Sequence, residues 1–346
     1  MATAFCLPGA PLPHSGLVPP PPAPAGGAAA SRRRHPPAAP TTAPCRRCRH
    51  APRMAADGAP GRRRHTRFRP CIDLHGGLVK QIVGGTLSDA PAAPTTATAA
   101  AAAAALETNF STTTPAAAFA ARYAADDLPG GHVIMLGPGN EEAARSALAA
   151  YPGGLHVGGG IGPTNARGWL DAGASHVIVT SYVFRGGAVD WDRVAEMRDC
   201  VGKARLVLDV SCRKRAVAAG AAGHGAAAAA DGGGGGGGDG NGNGDGNGDG
   251  AVEYVVCTDR WTRTSDFVLG AAAVRRLAAN CDELLVHAVD EEGRRGGIDG
   301  RLVTRLAAWA SGAAAGGGDL PVVYAGGARA LGDLATVDRL SGGGST

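Results

Sequence analysis

The sequence predicts an α/β chain folded as a (β/α)8 TIM barrel assembled from two half-barrel repeats. Three observations carry that prediction. From Phe68 onward, short apolar runs alternate with helical stretches, and several runs are continuously apolar, as strands covered on both faces of a parallel sheet are. Two strings recur in one order: Asp73 and Asp209 each close an apolar run, while Gly159-Gly160 and Gly326-Gly327 each follow a strand and precede a helical stretch. One carboxylate and one glycine turn per half is the pattern of a duplicated unit. Asp73 to Gly159 spans 86 residues and Asp209 to Gly326 spans 117, and the surplus matches a run of Ala, Gly, Asn and Asp between Ala216 and Gly250.

In chain order, the predicted strands are Phe68–Leu74, His132–Leu136, Leu155–Gly158, His176–Thr180, Leu206–Val210, Glu283–His287 and Pro321–Ala325. The intervening helices are Pro115–Asp127, Glu141–Ala150, Pro163–Ala172, Trp191–Cys200, Val268–Asn280, Arg301–Ala310 and Leu331–Leu340. Pro163 suits a first helical turn, where its missing N–H would have no partner. Seven βα units in two similar halves favour a closed barrel over an open doubly wound sheet. The eighth unit is expected after Leu340, where the sequence reads Ser-Gly-Gly-Gly-Ser-Thr, so strands one and seven are expected to present open edges.

Three stretches lie outside this pattern. Residues 1–65 contain ten Arg and one Asp, with Pro and Ala filling much of the rest. An Arg-rich, acid-poor segment that cannot form a core reads as an organelle transit peptide, here to the chloroplast stroma. A nucleic-acid-binding arm fits less well, because no aromatic residue other than Phe5 is interleaved before Phe68. The segment carries a net +9 within a whole-chain +4, so the remainder carries −5 and must hold an anion by local backbone geometry. The barrel proper is expected over 66–340, with low-complexity inserts near 90–105 and 216–250 and a tail at 341–346. Gly-rich inserts of this kind lose too much entropy on ordering to form a core.

Other signals fall away. Cys45 and Cys48 form a C-x-x-C without a second ligand pair, so no zinc site is expected. Asp239, Asn241, Asn243 and Gly244 imitate half a calcium loop, but Gly250 stands where a Glu is needed. Cys71, Cys200, Cys212, Cys257 and Cys281 read as reduced core cysteines. No apolar run is long enough to span a bilayer. No metal, cofactor, nucleic acid or membrane is expected as a partner, and the chain is expected to act as a monomer.

In an eight-stranded barrel, strands four apart lie across the mouth from one another. Asp73 and Asp209 would then face each other, and the two glycine turns would be opposed likewise. Backbone N–H groups at such turns suit phosphate. The arrangement describes a substrate with a phosphate at each end and acid–base chemistry between them.

The residues that line this frame carry a family resemblance. Arg69-Pro70-Cys71-Ile72-Asp73-Leu74-His75-Gly76-Gly77-Leu78-Val79-Lys80-Gln81 resembles the opening of the phosphoribosylformimino-aminoimidazole carboxamide ribotide isomerases of histidine biosynthesis. Gly131–Gly137, Ala174–Phe184, Leu208–Arg213, Thr258–Trp261 and Val286–Asp290 continue the likeness, closest to the plant and fungal branch. The resemblance implies a cofactor-free Amadori rearrangement, in which an aminoaldose opens and becomes an aminoketose. It implies Asp73 as general base. Glu292, in the place of a bacterial Asp-Gly pair after strand six, is the first choice for general acid, and Asp209 the second. It further implies that Trp261 stacks on the imidazole and that His287 contacts a ribose hydroxyl. Gly159, Gly160, Thr180 and Ser181 would hold one phosphate, and Gly326 and Gly327 the other. Two other functions stay open: the sister-barrel cyclase of the same pathway, which needs a glutaminase partner, and a non-catalytic phosphate-binding barrel.

Overall fold

The computed structural model describes residues 3–6, 66–82, 108–217, 252–259 and 261–342. Met1–Ala10 and Arg63–Thr346 make one compact unit, and Pro11–Arg62 lies outside the described residues. Outside them too are the C-x-x-C, the calcium-like loop and most of both inserts.

The first half contains β1 (Thr3–Cys6), β2 (Arg67–His75), β3 (Leu78–Ile82), β4 (Thr108–Thr112), α1 (Ala116–Ala125), β5 (Gly131–Met135), α2 (Glu141–Ala150), β6 (Leu155–Gly158), α3 (Ala166–Asp171) and β7 (His176–Val179). A small hairpin, β8 (Phe184–Arg185) and β9 (Ala188–Val189), precedes α4 (Trp191–Val201). The second half contains β10 (Leu206–Asp209), β11 (Cys212–Ala216), β12 (Val252–Thr258), β13 (Arg263–Leu269), α5 (Ala271–Ala278), β14 (Glu283–His287), α6 (Gly300–Ala310), β15 (Val322–Ala325) and α7 (Gly332–Leu340).

Strands β2, β5, β6, β7, β10, β14 and β15 pair in parallel, in sequence order. The expected open edges are not there. β1 lies antiparallel between β15 and β2, with Ala4 opposite Tyr324 on one side and Phe5 opposite Phe68 on the other. This extended segment supplies N–H and C=O groups to both edges, so their backbone polar groups find partners without an eighth βα unit.

Alternation along the strands sends every second side chain into the ring. Ile134, Ile178, Val207, Leu285, Val323 and Ala325 pack together there. The opposite faces, with Ile72, Val133, Val157, Leu208 and Val286, join the helices' Leu148, Val194, Leu302 and Leu306 in the larger core.

Three local departures from the sequence reading have physical causes. The helix expected from Pro163 begins at Ala166, because the Asn165 side chain closes a turn first: its Oδ1 accepts from the Gly162 N–H at 3.0 Å and its Nδ2 donates to the Gly160 carbonyl at 2.9 Å. The helix expected from Val268 begins at Ala271, because Val268 pairs with Val255 across β12 and β13. Strands β3, β4 and β11–β13 were not predicted, being too polar or too irregular to read as core strands. Each low-complexity stretch joins two of them as paired neighbours: Ile82 lies opposite Thr108, and Ala216 opposite Val252.

Candidate active site

A cavity of about 520 Å³ opens at the carboxyl ends of the parallel strands. Asp73, Gly159, Gly160, Thr180, Ser181, Asp209, Trp261, His287 and Glu292 all line it. Gly326 and Gly327 do not, although Ala325 just before them does.

Asp209 ends β10, with its carboxylate held from three sides. The Thr180 hydroxyl donates to Oδ2 at 3.0 Å, the Ser211 hydroxyl donates to Oδ1 at 3.2 Å, and His287 Nδ1 lies 3.0 Å from Oδ1. Burial pushes the His287 imidazole down, but Asp209, Glu292 and Asp73 together hold it up at about 9. His287 is thus a cation at neutral pH, and Asp209 is its counter-ion.

Asp73 projects from β2 and accepts a hydrogen bond from the Cys71 thiol at 3.1 Å. Burial raises its pKa, opposed by that hydrogen bond and by His287. Glu292 sits in the turn after β14, where its N–H donates to the Ala288 carbonyl at 3.1 Å. Burial raises its pKa, His287 opposes, and the Asp73 charge adds to the rise. The Glu292 turn is braced from β11: the Lys214 ammonium lies 3.0 Å from Glu291 and 3.2 Å from Asp299.

Trp261 opens β13's loop in the left-handed region at φ 68°, which a bulky side chain adopts only when its surroundings impose it. Its ring centre lies 5.7 Å from that of His287 at 48°.

The two glycine turns share one geometry. Gly159 and Gly160 have φ of 95° and 66°, and Gly326 and Gly327 have 119° and 73°. A Cβ on Gly159 would lie 2.1 Å from the Met135 carbonyl oxygen, and one on Gly326 would lie 2.8 Å from that of Ala288. Met135 ends β5 and Ala288 follows β14, the strands preceding β6 and β15 in the ring, so the two turns meet equivalent obstacles. The second turn is roofed: Gly297 N–H donates to the Gly327 carbonyl at 3.0 Å.

Cys71 was read from the sequence as a core cysteine and instead lines the cavity. Its spacing two residues before Asp73 on a strand is the signal that puts both on one face. Thr258 and Asp259, within a string that carries the family likeness, also line the cavity, as do Glu141, Asn165 and Trp169, which carried no signal of their own. No Lys or Arg among the described residues lines it.

Among the described residues, the group close enough to share a metal is His132, His156 and Glu283, buried below the carboxyls, with His132 itself reaching the lining of the cavity. Arg69 Nη1 lies 2.7 Å from each Glu283 oxygen, so a guanidinium already holds the place a cation would take. No described helix is long and apolar enough to cross a membrane.

The histidine biosynthesis protein family matches residues 67–343. A 1-(5-phosphoribosyl)-5-((5-phosphoribosylamino)methylideneamino) imidazole-4-carboxamide isomerase from Neurospora crassa is 41% identical over 280 residues, covering 80% of this chain and 88% of its own. The Yarrowia lipolytica isomerase is 40% identical over 283 residues, covering 80% and 88%. A Medicago truncatula isomerase described as chloroplastic is 41% identical over 269 residues, covering 77% and 70%. The chain belongs to this isomerase family of histidine biosynthesis.

Proposed function

We propose that Asp73 and Glu292 are the base and acid of the isomerisation for which the relatives are named. Glu292 in its neutral form protonates the ribose ring oxygen and opens the aminoaldose. Asp73 in its ionised form removes the C2′ proton, and the enolamine collapses to the aminoketose. The observation that carries this reading is that the two carboxyls share one buried cavity and differ in surroundings. Asp73 has a thiol donor, whereas Glu292 meets the Asp73 charge, so Asp73 ionises first and Glu292 retains its proton. Asp209 is already engaged by the Thr180 and Ser211 hydroxyls and by His287 Nδ1, which suits an anchor for His287 better than a proton donor to substrate.

With no Lys or Arg among the described residues lining the cavity, we read the phosphates as bound by backbone. Gly159 and Gly160 with Ser181 would take one phosphate, and the Gly326-Gly327 turn the other. The matched dihedrals and matched obstacles of those turns support a (β/α)8 frame built from two half-barrel repeats. Residues 1–65 are read as a chloroplast transit peptide. Processing there would remove β1 and return the β2 and β15 edges to solvent, so amino-terminal sequencing of the mature protein is the check on this reading.

The decisive measurement is turnover of the purified variants. Asp73→Asn and Glu292→Gln should each lose about 10²–10⁴ in kcat with little change in KM. Near wild-type turnover in Asp73→Asn removes it as base. Retained turnover in Glu292→Gln beside a collapse in Asp209→Asn transfers the acid to Asp209.

A further inference from the structure

We propose that Cys71 is a positioning residue for Asp73, its thiol fixing the carboxylate that takes the substrate proton. Residues two apart on a strand share a face, so β2 aims both side chains into the ring. Sγ lies 3.1 Å from Asp73 Oδ1, and both residues line the cavity. A thiol is a weak donor to a neutral acceptor, but a carboxylate makes the bond charge-assisted.

The thiol keeps its proton, because burial and the adjacent Asp73 charge both push it well above its ordinary value. It therefore acts as a constant donor over the working pH range. Against burial, which raises Asp73, the Cys71 hydrogen bond is the largest opposing influence, ahead of His287. The other groups facing Asp73 are Glu292 beyond β14, and Lys80 of β3 and Tyr123 of α1, which share a small pocket with Asp73 and Cys71. The Tyr123 hydroxyl is buried with no hydrogen-bond partner among the described residues, so it is no substitute donor. Burial without the thiol would favour protonated Asp73, which cannot act as a base.

The inference rests on Asp73 being the base, and the test separates the two. Wild type, Cys71→Ala and Cys71→Ser of the full chain are compared by the pH profile of kcat/KM. They are also compared by infrared titration of the Asp73 carboxyl, assigned by subtracting Asp73→Asn. Loss of the donor in Cys71→Ala should raise both midpoints by about half to one unit, cutting kcat/KM roughly three- to tenfold on the acid limb and less on the plateau. Cys71→Ser supplies a stronger donor and should restore or lower the midpoint. Equal carboxyl midpoints in wild type and Cys71→Ala, or a midpoint in Cys71→Ser raised as far as in Cys71→Ala, would overturn the proposal. Should wild type not isomerise the substrate, the reading of Asp73 falls while the infrared titration still decides whether Cys71 holds it.

Discussion

The two ends of the ring are built from the same side chains and arrive at opposite charge states. At the floor, His132 and His156 sit beside Glu283, His132 reaching up to the cavity lining, as His287 sits beside Asp209 at the mouth. Yet burial pushes His132 and His156 well down, with Arg69 adding to the effect on both. His287, buried too, is held up at about 9. The difference is the fixed cation. Arg69 neutralises the floor's carboxylate, leaving its imidazoles nothing to gain by charging. The mouth has five carboxyls lining its cavity and no Lys or Arg among the described residues there, so the imidazole becomes the cation. Placement of one arginine separates a structural layer from a chemical one.

Removing that arginine should break the comparison most severely. Arg69→Met strands Glu283 in the interior, and loss of one partner of a buried pair costs about 3–5 kcal/mol. His156 Nδ1 lies 3.6 Å from Glu283 and is the nearest group able to take up a compensating proton. The variant should therefore melt far below wild type at pH 7 and recover part of the difference at pH 5, as His156 takes up the compensating proton. The check is thermal unfolding at both pH values with imidazole NMR. An unchanged melting temperature, or a loss that deepens in acid, contradicts the account of the floor.

Disarming the mouth should have a smaller effect. Asp209 gives His287 the strongest of its upward influences, so Asp209→Asn should lower the imidazole midpoint from about 9 by about one unit or more, equivalent to roughly 1.4 kcal/mol. The sign of the stability change follows. A histidine raised on folding stabilises fully below its unfolded value of about 6.5 and loses that contribution as pH climbs through about 9. Wild type should lose stability across that window, and Asp209→Asn should lose less. A titration midpoint unmoved in the variant would assign the raised imidazole to Glu292 and Asp73 instead.

Much of the mouth was legible in sequence, and almost none of the floor. Asp73, Asp209 and Gly159-Gly160 announce themselves because they end or follow apolar runs, while Gly326-Gly327, equally visible in the sequence, stays outside the cavity lining. His132 and Glu283 each begin a predicted strand, His156 is the second residue of another, and all three look like polar boundary residues. Only the closed ring turns them inward together with Arg69. Glu292 was found by resemblance, not by pattern. The amino-terminal strand was illegible for another reason: Thr3–Cys6 is four unremarkable residues, and its partners lie at the two far ends of the barrel sequence.

The smallest expected effect concerns the long insert between β11 and β12. Ala216 and Val252 are already paired across β11 and β12, so the stretch between them joins two strands whose register is set by the sheet. Loop closure costs only about 0.6 kcal/mol per doubling of loop length, so replacing residues 218–250 with a short turn, roughly three halvings, should stabilise the chain by no more than about 2 kcal/mol. The floor, at the other end of the strands, should not register the change: its imidazole midpoints should stay where they are. Trp261, two strands along the same small sheet, offers the sensitive readout through its fluorescence and through KM. A melting temperature lowered by many degrees would make the insert part of the folded structure. An unchanged melting temperature with a raised KM would instead tie it to the movement of the Trp261 loop, and the mouth would then extend beyond the residues that line its cavity.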